Sequence, residues 1–343
     1  MFPPAEAARR CGSSGNTPSF AAFLRVIPHF HHCELRAIPT RIVTPARGGA
    51  GVSSHPTLAT GVHMSLHRRL LWLLLIVAAC LPIGSATAQS CNGPFAIGEL
   101  QRTYRDPARG NRSVGVLIRY PAQRAGSNAP PVTGCAFPAV VFGHGFTISH
   151  TAYRFLSDGL VPAGYVIAFP STEGGLSPSH ARFAADLAFV ARALASDTLL
   201  APALGNGRAI GGHSMGGGAA VLAVSGNREV QALFALAPAE TNPSAAAAAA
   251  GVSVPTQFVL GSRDCVTPRD RHAQPIYDRL GTPSGLKFID EIAGGSHCQF
   301  SNGAWTCSFG ENSCGGGATI GASVQHARTI TTLRGFLDGV FGR

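Results

Sequence analysis

Gly212-His213-Ser214-Met215-Gly216 constrains this chain more than any other stretch of its sequence. Residues 208–211 before it read as a short strand, and residues 215–224 after it as a helix of small residues. A glycine–x–serine–x–glycine run between a strand and a helix makes a very tight turn. Side chains at 212 and 216 would collide with neighbouring backbone there, and Ser214 is expected to sit in a strained conformation. The turn then projects the Ser214 Oγ at the carboxyl edge of a sheet. The helix behind it supplies an N-terminal dipole and the free N–H of Met215.

Such a turn needs a sheet around it, and the mature part of the chain has the pattern for one. Residues 138–142 form a short, fully apolar run of the kind buried in parallel sheets. Further strands are expected at 114–120, 165–169, 233–236, 256–260 and 286–289. Helical spacing appears at 151–160, 180–195, 269–280 and 325–340. This alternation predicts an α/β fold, a mostly parallel central sheet flanked by helices. Residues 242–251, with an alanine run, read as a short helix or loop, too short for a large lid.

The two remaining parts of a nucleophilic site are expected after later strands. Asp264 follows the run 256–260, and His297 follows Gly294-Gly295-Ser296 beyond the run 286–289. Asp270 and Asp290 compete for the acid and His326 for the base, but none stands in so well-placed a loop. In this arrangement His297 takes the Ser214 proton, Asp264 holds the imidazole tautomer, and water later releases the acyl group. Gly143-His144-Gly145-Phe146 follows the buried run 138–142, so the Phe146 N–H joins that of Met215 as the second expected oxyanion donor. Neither cofactor nor metal is needed. His29, His31, His32 and Cys33 lack the spacing of a closed metal site.

The beginning of the chain reads as processing signal. His67, Arg68 and Arg69 precede a run of ten apolar residues, 70–79, and Ala86-Thr87-Ala88 ends it with a small-x-small cleavage site. Residues 64–88 are therefore expected to be a secretory signal, with translation starting at Met64. Residues 1–63 are then a non-native or disordered extension. A second route would lipidate Cys80 within Val77-Ala78-Ala79-Cys80. The apolar run is too short for a stable membrane span. The mature segment, 89–343, is expected to be a single, monomeric domain.

Net charge is +10, but residues 1–88 hold eight Arg against two acidic residues. The remainder is mildly basic with no Lys/Arg run, which argues against a nucleic-acid partner. Of the nine Cys, six lie in 89–343, an even number in a chain bound for an oxidising compartment. Spacing leaves the pairing open. The preferred set is Cys91–Cys135, Cys265–Cys298 and Cys307–Cys314.

These residues resemble the α/β-hydrolase superfamily, and more closely its dienelactone-hydrolase, chlorophyllase-like and bacterial cutinase-like polyester-hydrolase branches. The matching pieces are His144-Gly145-Phe146, the run from Gly212 to Gly218, Ala237-Pro238, Pro275-Ile276-Tyr277-Asp278 and the run from Gly294 to Cys298. The resemblance implies a secreted serine esterase acting on carboxylic ester substrates. Polyester hydrolysis, or a lipase activity, is the first alternative. An acyltransferase or serine peptidase with the same three residues is the second, and a non-catalytic binding protein the third. One polyester-hydrolase subgroup ties its acid loop to its base loop by a disulfide. Phe146 matches an aromatic clamp position of that branch, whereas Ala239 stands where many members carry a Trp. Trp305 is expected either to line the substrate site or to pack beneath a loop.

Overall fold

The computed structural model describes residues 91–343. The signal at 64–88, Cys80, the extension 1–63 and its His/Cys cluster lie outside the described residues.

Nine strands among the described residues form one sheet: β1 (Ala96–Asp106), β2 (Arg112–Ala122), β3 (Gly126–Ser127), β4 (Phe137–Gly143), β5 (Val166–Pro170), β6 (Leu204–His213), β7 (Ala232–Leu236), β8 (Thr256–Gly261) and β9 (Lys287–Ile292). Their order is β3-β1-β2-β5-β4-β6-β7-β8-β9. β2 runs antiparallel to both neighbours, β1 and β5. From β5 to β9 every pairing is parallel. The central strands β4, β5 and β7 are buried along their whole length. Their apolar runs are continuous because helices cover both faces.

Alternate residues of each strand feed two separate cores. Val141, Ile210, Leu233, Ala235 and Phe258 face one side, with α2 (His180–Ala193) and α3 (Met215–Val224) packed over them. Val140, Phe142, Phe234, Leu236 and Val259 face the other, under α1 (Arg154–Leu160) and α7 (Ala322–Phe341). α3 begins Met-Gly-Gly-Gly, and each glycine costs roughly 1 kcal/mol of helix propensity relative to alanine. Close packing is what holds it: a Cβ at Gly216 would strike the Gly143 carbonyl. Swapping small residues for reach, this helix brings its N-terminus directly beside the end of β4.

Several expectations shift. β1 was not expected, because Leu100 is its only fully buried large apolar side chain, beside buried Gly98 and Asp106, while Gln101, Thr103 and Arg105 face solvent. It is held from the side by Arg102, whose Nε lies 2.9 Å from Asp197 Oδ2. Residues 242–251 contain a four-residue helix, α4 (Ala245–Ala248), followed by a 3-10 turn, and no large lid. α5 spans Ala273–Arg279, starting later than expected. The largest correction is α6 (Trp305–Ser313), in a stretch rich in glycine that gave no helical signal. Among the described residues no helix is long and apolar enough to cross a membrane.

α6 also overturns two of the three expected disulfides. Cys91–Cys135 forms as expected, but the others are Cys265–Cys314 and Cys298–Cys307, not Cys265–Cys298 and Cys307–Cys314. The reason is geometric. Cys307 lies inside the helix and Cys314 caps its end. Seven residues of helix separate their Cα atoms by about 10 Å, beyond the roughly 7 Å that a disulfide spans. Each must reach outward, and each finds a cysteine on a different loop.

Candidate active site

Ser214 sits between β6 and α3 with φ 55° and ψ −121°, a left-side conformation rare for any residue with a Cβ. The surrounding backbone fixes it there. Its N–H donates to the Leu236 carbonyl at 3.0 Å, and its carbonyl accepts from Gly217 at 2.9 Å and Ala239 at 2.9 Å. A Cβ at Gly212 would run into the Gly216 carbonyl, so this close turn admits glycine alone. Ser214 is 8% exposed. Met215 opens α3, where a backbone N–H has no carbonyl one turn earlier to bond.

Asp264 and His297 come together although 33 residues separate them. Asp264 follows the carboxyl end of β8 and His297 follows that of β9. His297 Nδ1 lies 2.7 Å from Asp264 Oδ2. The other carboxylate oxygen accepts from the backbone N–H groups of Val266 at 2.9 Å and Thr267 at 2.8 Å. Thr267 Oγ1 lies 2.9 Å from Asp264 Oδ2 and 3.0 Å from His297 Nδ1. Burial alone would push the Asp264 carboxyl up. The hydrogen bond and charge of His297, with the Thr267 donors, outweigh it and hold the acid below the ordinary carboxylate range. An ionised Asp264 favours the tautomer in which Nδ1 carries the proton, leaving Nε2 as an acceptor.

The His297 ring packs against that of His213, centroids 4.6 Å apart, next to Ser214 in the chain. His213 Nδ1 stands 3.0 Å from the hydroxyl of Tyr153, which accepts from the Gly145 N–H at 2.8 Å. The loop carrying Gly145 and Phe146 is thus tied to the serine turn. Phe146 is half-exposed at its tip. Trp305, by contrast, is 81% exposed at the start of α6 and is not packed beneath a loop. Two of the three competing residues are otherwise engaged: His326 stacks on Phe155 at 4.0 Å, and Asp290 accepts from Thr332 at 2.5 Å.

Three further residues, absent from the sequence reading, build this site. Thr267 is one, foreshadowed by the three-residue spacing from Asp264 that lets a side-chain oxygen bond a nearby backbone N–H. Gln325, on α7, accepts from the Ser296 N–H at 2.9 Å and donates to the Ser296 carbonyl at 2.8 Å. Glu311, on α6, accepts from the N–H of His297 at 2.7 Å. Its only sequence signal was an acid standing between two cysteines. Among the described residues no group of three or more His, Cys, Asp or Glu is arranged to hold a metal ion.

A serine on a strained strand–helix turn, at the carboxyl edge of a mostly parallel sheet in this strand order, defines an α/β-hydrolase. Residues 88–313 match the family model described as PET hydrolase-like, and the chain belongs to that family. It is similar to a bis(hydroxyethyl) terephthalate hydrolase of Streptomyces coelicolor, 27% identical over 254 residues, which cover 68% of this chain and 78% of the relative. It is also similar to cutinase 1 of Thermobifida cellulosilytica, 25% identical over 214 residues, 62% of this chain and 75% of the relative. A ferulic acid esterase from Streptomyces cinnamoneus shares the fold, with a TM-score of 0.58 at 20% identity, covering 76% of this chain and 93% of that one.

Proposed function

We propose that the protein is a serine esterase that cleaves carboxylic esters through an acyl-enzyme, with Ser214 as nucleophile, His297 as general base and Asp264 as the acid that orients it. The observation that carries this reading is the buried 2.7 Å contact between Asp264 and His297, whose ring packs against His213, the chain neighbour of a serine held at φ 55°. His297 Nε2 takes the Ser214 proton as Oγ attacks the acyl carbon, then returns it to the departing alkoxide. The N–H groups of Met215 and Phe146 hold the oxyanion of each tetrahedral intermediate. Water, deprotonated by the same imidazole, releases the acid and restores the serine.

The relatives hydrolyse bis(hydroxyethyl) terephthalate or are cutinases, so esters of aromatic and of long-chain aliphatic acids are both in range. Ala239 leaves the position beyond Ala237-Pro238 without an aromatic ring. Phe146, and Trp305 on α6, are both exposed, and in this reading they serve as apolar surfaces for such a substrate. The three disulfides fit an oxidising compartment, reached by way of the signal at 64–88.

The test is hydrolysis of p-nitrophenyl esters and of bis(hydroxyethyl) terephthalate by the wild type beside Ser214→Ala. A fall of about 10⁴-fold or more in kcat is expected. A folded wild type without esterase activity, or a Ser214→Ala variant that keeps it, overturns the reading.

A further inference from the structure

His297 is held from two sides, and only one of them belongs to the reading above. On the side-chain side stand Asp264 and Thr267. On the backbone side stands Glu311, a buried carboxylate with no Lys or Arg at ion-pair distance among the described residues. Its Oε1 accepts from the N–H of His297 at 2.7 Å and from that of Cys298 at 3.3 Å. Its Oε2 accepts from Ser296 Oγ at 3.0 Å. Three donors from three consecutive residues thus converge on one carboxylate.

The local structure accounts for the convergence. His297 is the N-cap of the 3-10 turn Cys298–Phe300, and its own side chain does not cap that turn. Orphan N–H groups at such a start need an acceptor, and an anion is the favoured one. Glu311 supplies it from a different element. A buried carboxylate without a cation is costly unless it is fully hydrogen-bonded, so the loop and the carboxylate need each other.

α6 is in turn fastened to both loops of the site. Cys298–Cys307 joins it to the residue after His297, and Cys265–Cys314 joins its end to the residue after Asp264. The backbone carbonyl of Glu311 accepts from the Gly316 N–H at 3.1 Å, which closes the end of the helix. Glu311 therefore stands at a fixed point between the two catalytic loops. Gln325 holds Ser296 where the base loop enters, and Glu311 holds it where the loop leaves.

We infer that Glu311 is a positioning residue for catalysis: its carboxylate fixes the His297 backbone and so aims the imidazole at Ser214 while Nδ1 stays on Asp264. The inference rests on His297 acting as the base. Geometry of acceptance is what matters in it. A glutamine keeps an oxygen for the two N–H groups, and its amide nitrogen can donate to Ser296 Oγ with that hydroxyl turned around. Alanine keeps neither.

The experiment compares Glu311→Ala, Glu311→Asp and Glu311→Gln with the wild type, with KM and kcat measured separately on a p-nitrophenyl ester. A misplacement on the order of 1 Å at a catalytic group costs about 100-fold in rate. Glu311→Ala is expected to lose about that in kcat with KM changed less than about three-fold. Glu311→Gln is expected to recover to within about five-fold of wild type. Glu311→Asp, a methylene too short to reach both N–H groups, should lose about 10-fold and serves if the alanine variant does not fold. A folded alanine or aspartate variant within about two-fold of wild-type kcat overturns the inference. So does a glutamine variant no better than alanine. Ser214→Ala, run alongside, separates the two readings: if it stays active the esterase reading fails, whereas an inert Ser214→Ala beside a fully active Glu311→Ala sinks the positioning role alone.

Discussion

The hydroxyl of Tyr153 stands 3.0 Å from Nδ1 of His213 and accepts a hydrogen bond from the Gly145 N–H at 2.8 Å. Tyr153 is wholly buried, and burial pushes its phenol well above the ordinary range, so it remains a donor at any working pH. One phenol thus ties the serine turn to the loop that presents the Phe146 N–H. Tyr153→Phe removes the link with almost no change of volume. Two buried groups lose their partner, which should lower stability by about 1–3 kcal/mol. The loop carrying Gly145 and Phe146, proposed above to supply an oxyanion donor, should loosen with them, and kcat is expected to fall about 10-fold with KM little changed. Denaturant unfolding and steady-state kinetics on one preparation check both. Wild-type kcat in a destabilised variant would show that the phenol serves the fold alone.

His213 gives the protein a pH dependence whose sign can be worked out. Its burial, and the neighbouring His297, hold its imidazole well below the usual histidine range, so it stays neutral in the folded state. The unfolded chain takes up that proton near pH 6.5. Between the two values the unfolded state binds more protons, so stability rises with pH. It is fully present above about pH 6.5 and is lost as the pH falls, at up to about 1.4 kcal/mol per unit. His150, His272 and His326 are lowered by burial too and add to the same window. Asp264, held low, adds its loss only below about pH 4. Urea unfolding of wild type and His213→Gln from about pH 5 to 8 isolates the His213 share. The stability difference between them should be flat above about pH 6.5 and should slope below it. A difference that stays constant across the range refutes a neutral His213.

How far the sequence could be read follows from what each feature depends on. The turn at Ser214, and the loops of Asp264 and His297, were legible because glycine spacing and strand ends are local signals. Strand β4 and helix α3 were legible for the same reason, since their apolar and small-residue runs declare burial without reference to partners. β1 was not, because its polar, half-exposed alternation makes sense only beside β2. α6 was not, because its stability comes from outside itself. Its sequence, WTCSFGENS, carries a glycine and few strong helix formers, and no side chain caps its start. Two disulfides and the Glu311 contacts hold it in place. The pairing error had the same root. With 307–314 read as a loop, Cys307 and Cys314 could meet; as a helix with its cap, they cannot. Glu311 was invisible to any local rule because its partners lie 13 to 15 residues away.

Two of the disulfides form a matched pair for separating stability from catalysis. Cys91–Cys135 closes a span of 44 residues and Cys265–Cys314 one of 49. On the chain-entropy account each contributes about 4 kcal/mol by restricting the unfolded state, and the two differ by only about 0.1 kcal/mol. Their places in the molecule differ completely. The first ties the start of the described chain to the residues before β4, far along the sequence from the serine turn. The second ends beside Asp264 and anchors α6, with Glu311 on it. Replacing both cysteines of each pair by serine should therefore lower the unfolding free energy by similar amounts. Kinetics should not follow. Assayed well below either melting temperature, the variant lacking Cys91–Cys135 is expected to keep kcat within about two-fold of wild type. The variant lacking Cys265–Cys314 is expected to lose about 10-fold or more, because the acid loop and the Glu311 anchor are freed together. Equal losses of kcat in the two variants would mean that global loosening governs the rate. Unchanged kcat in both would mean that α6 needs no covalent tether to hold the base loop, its hydrogen bonds to Ser296, His297 and Cys298 being enough.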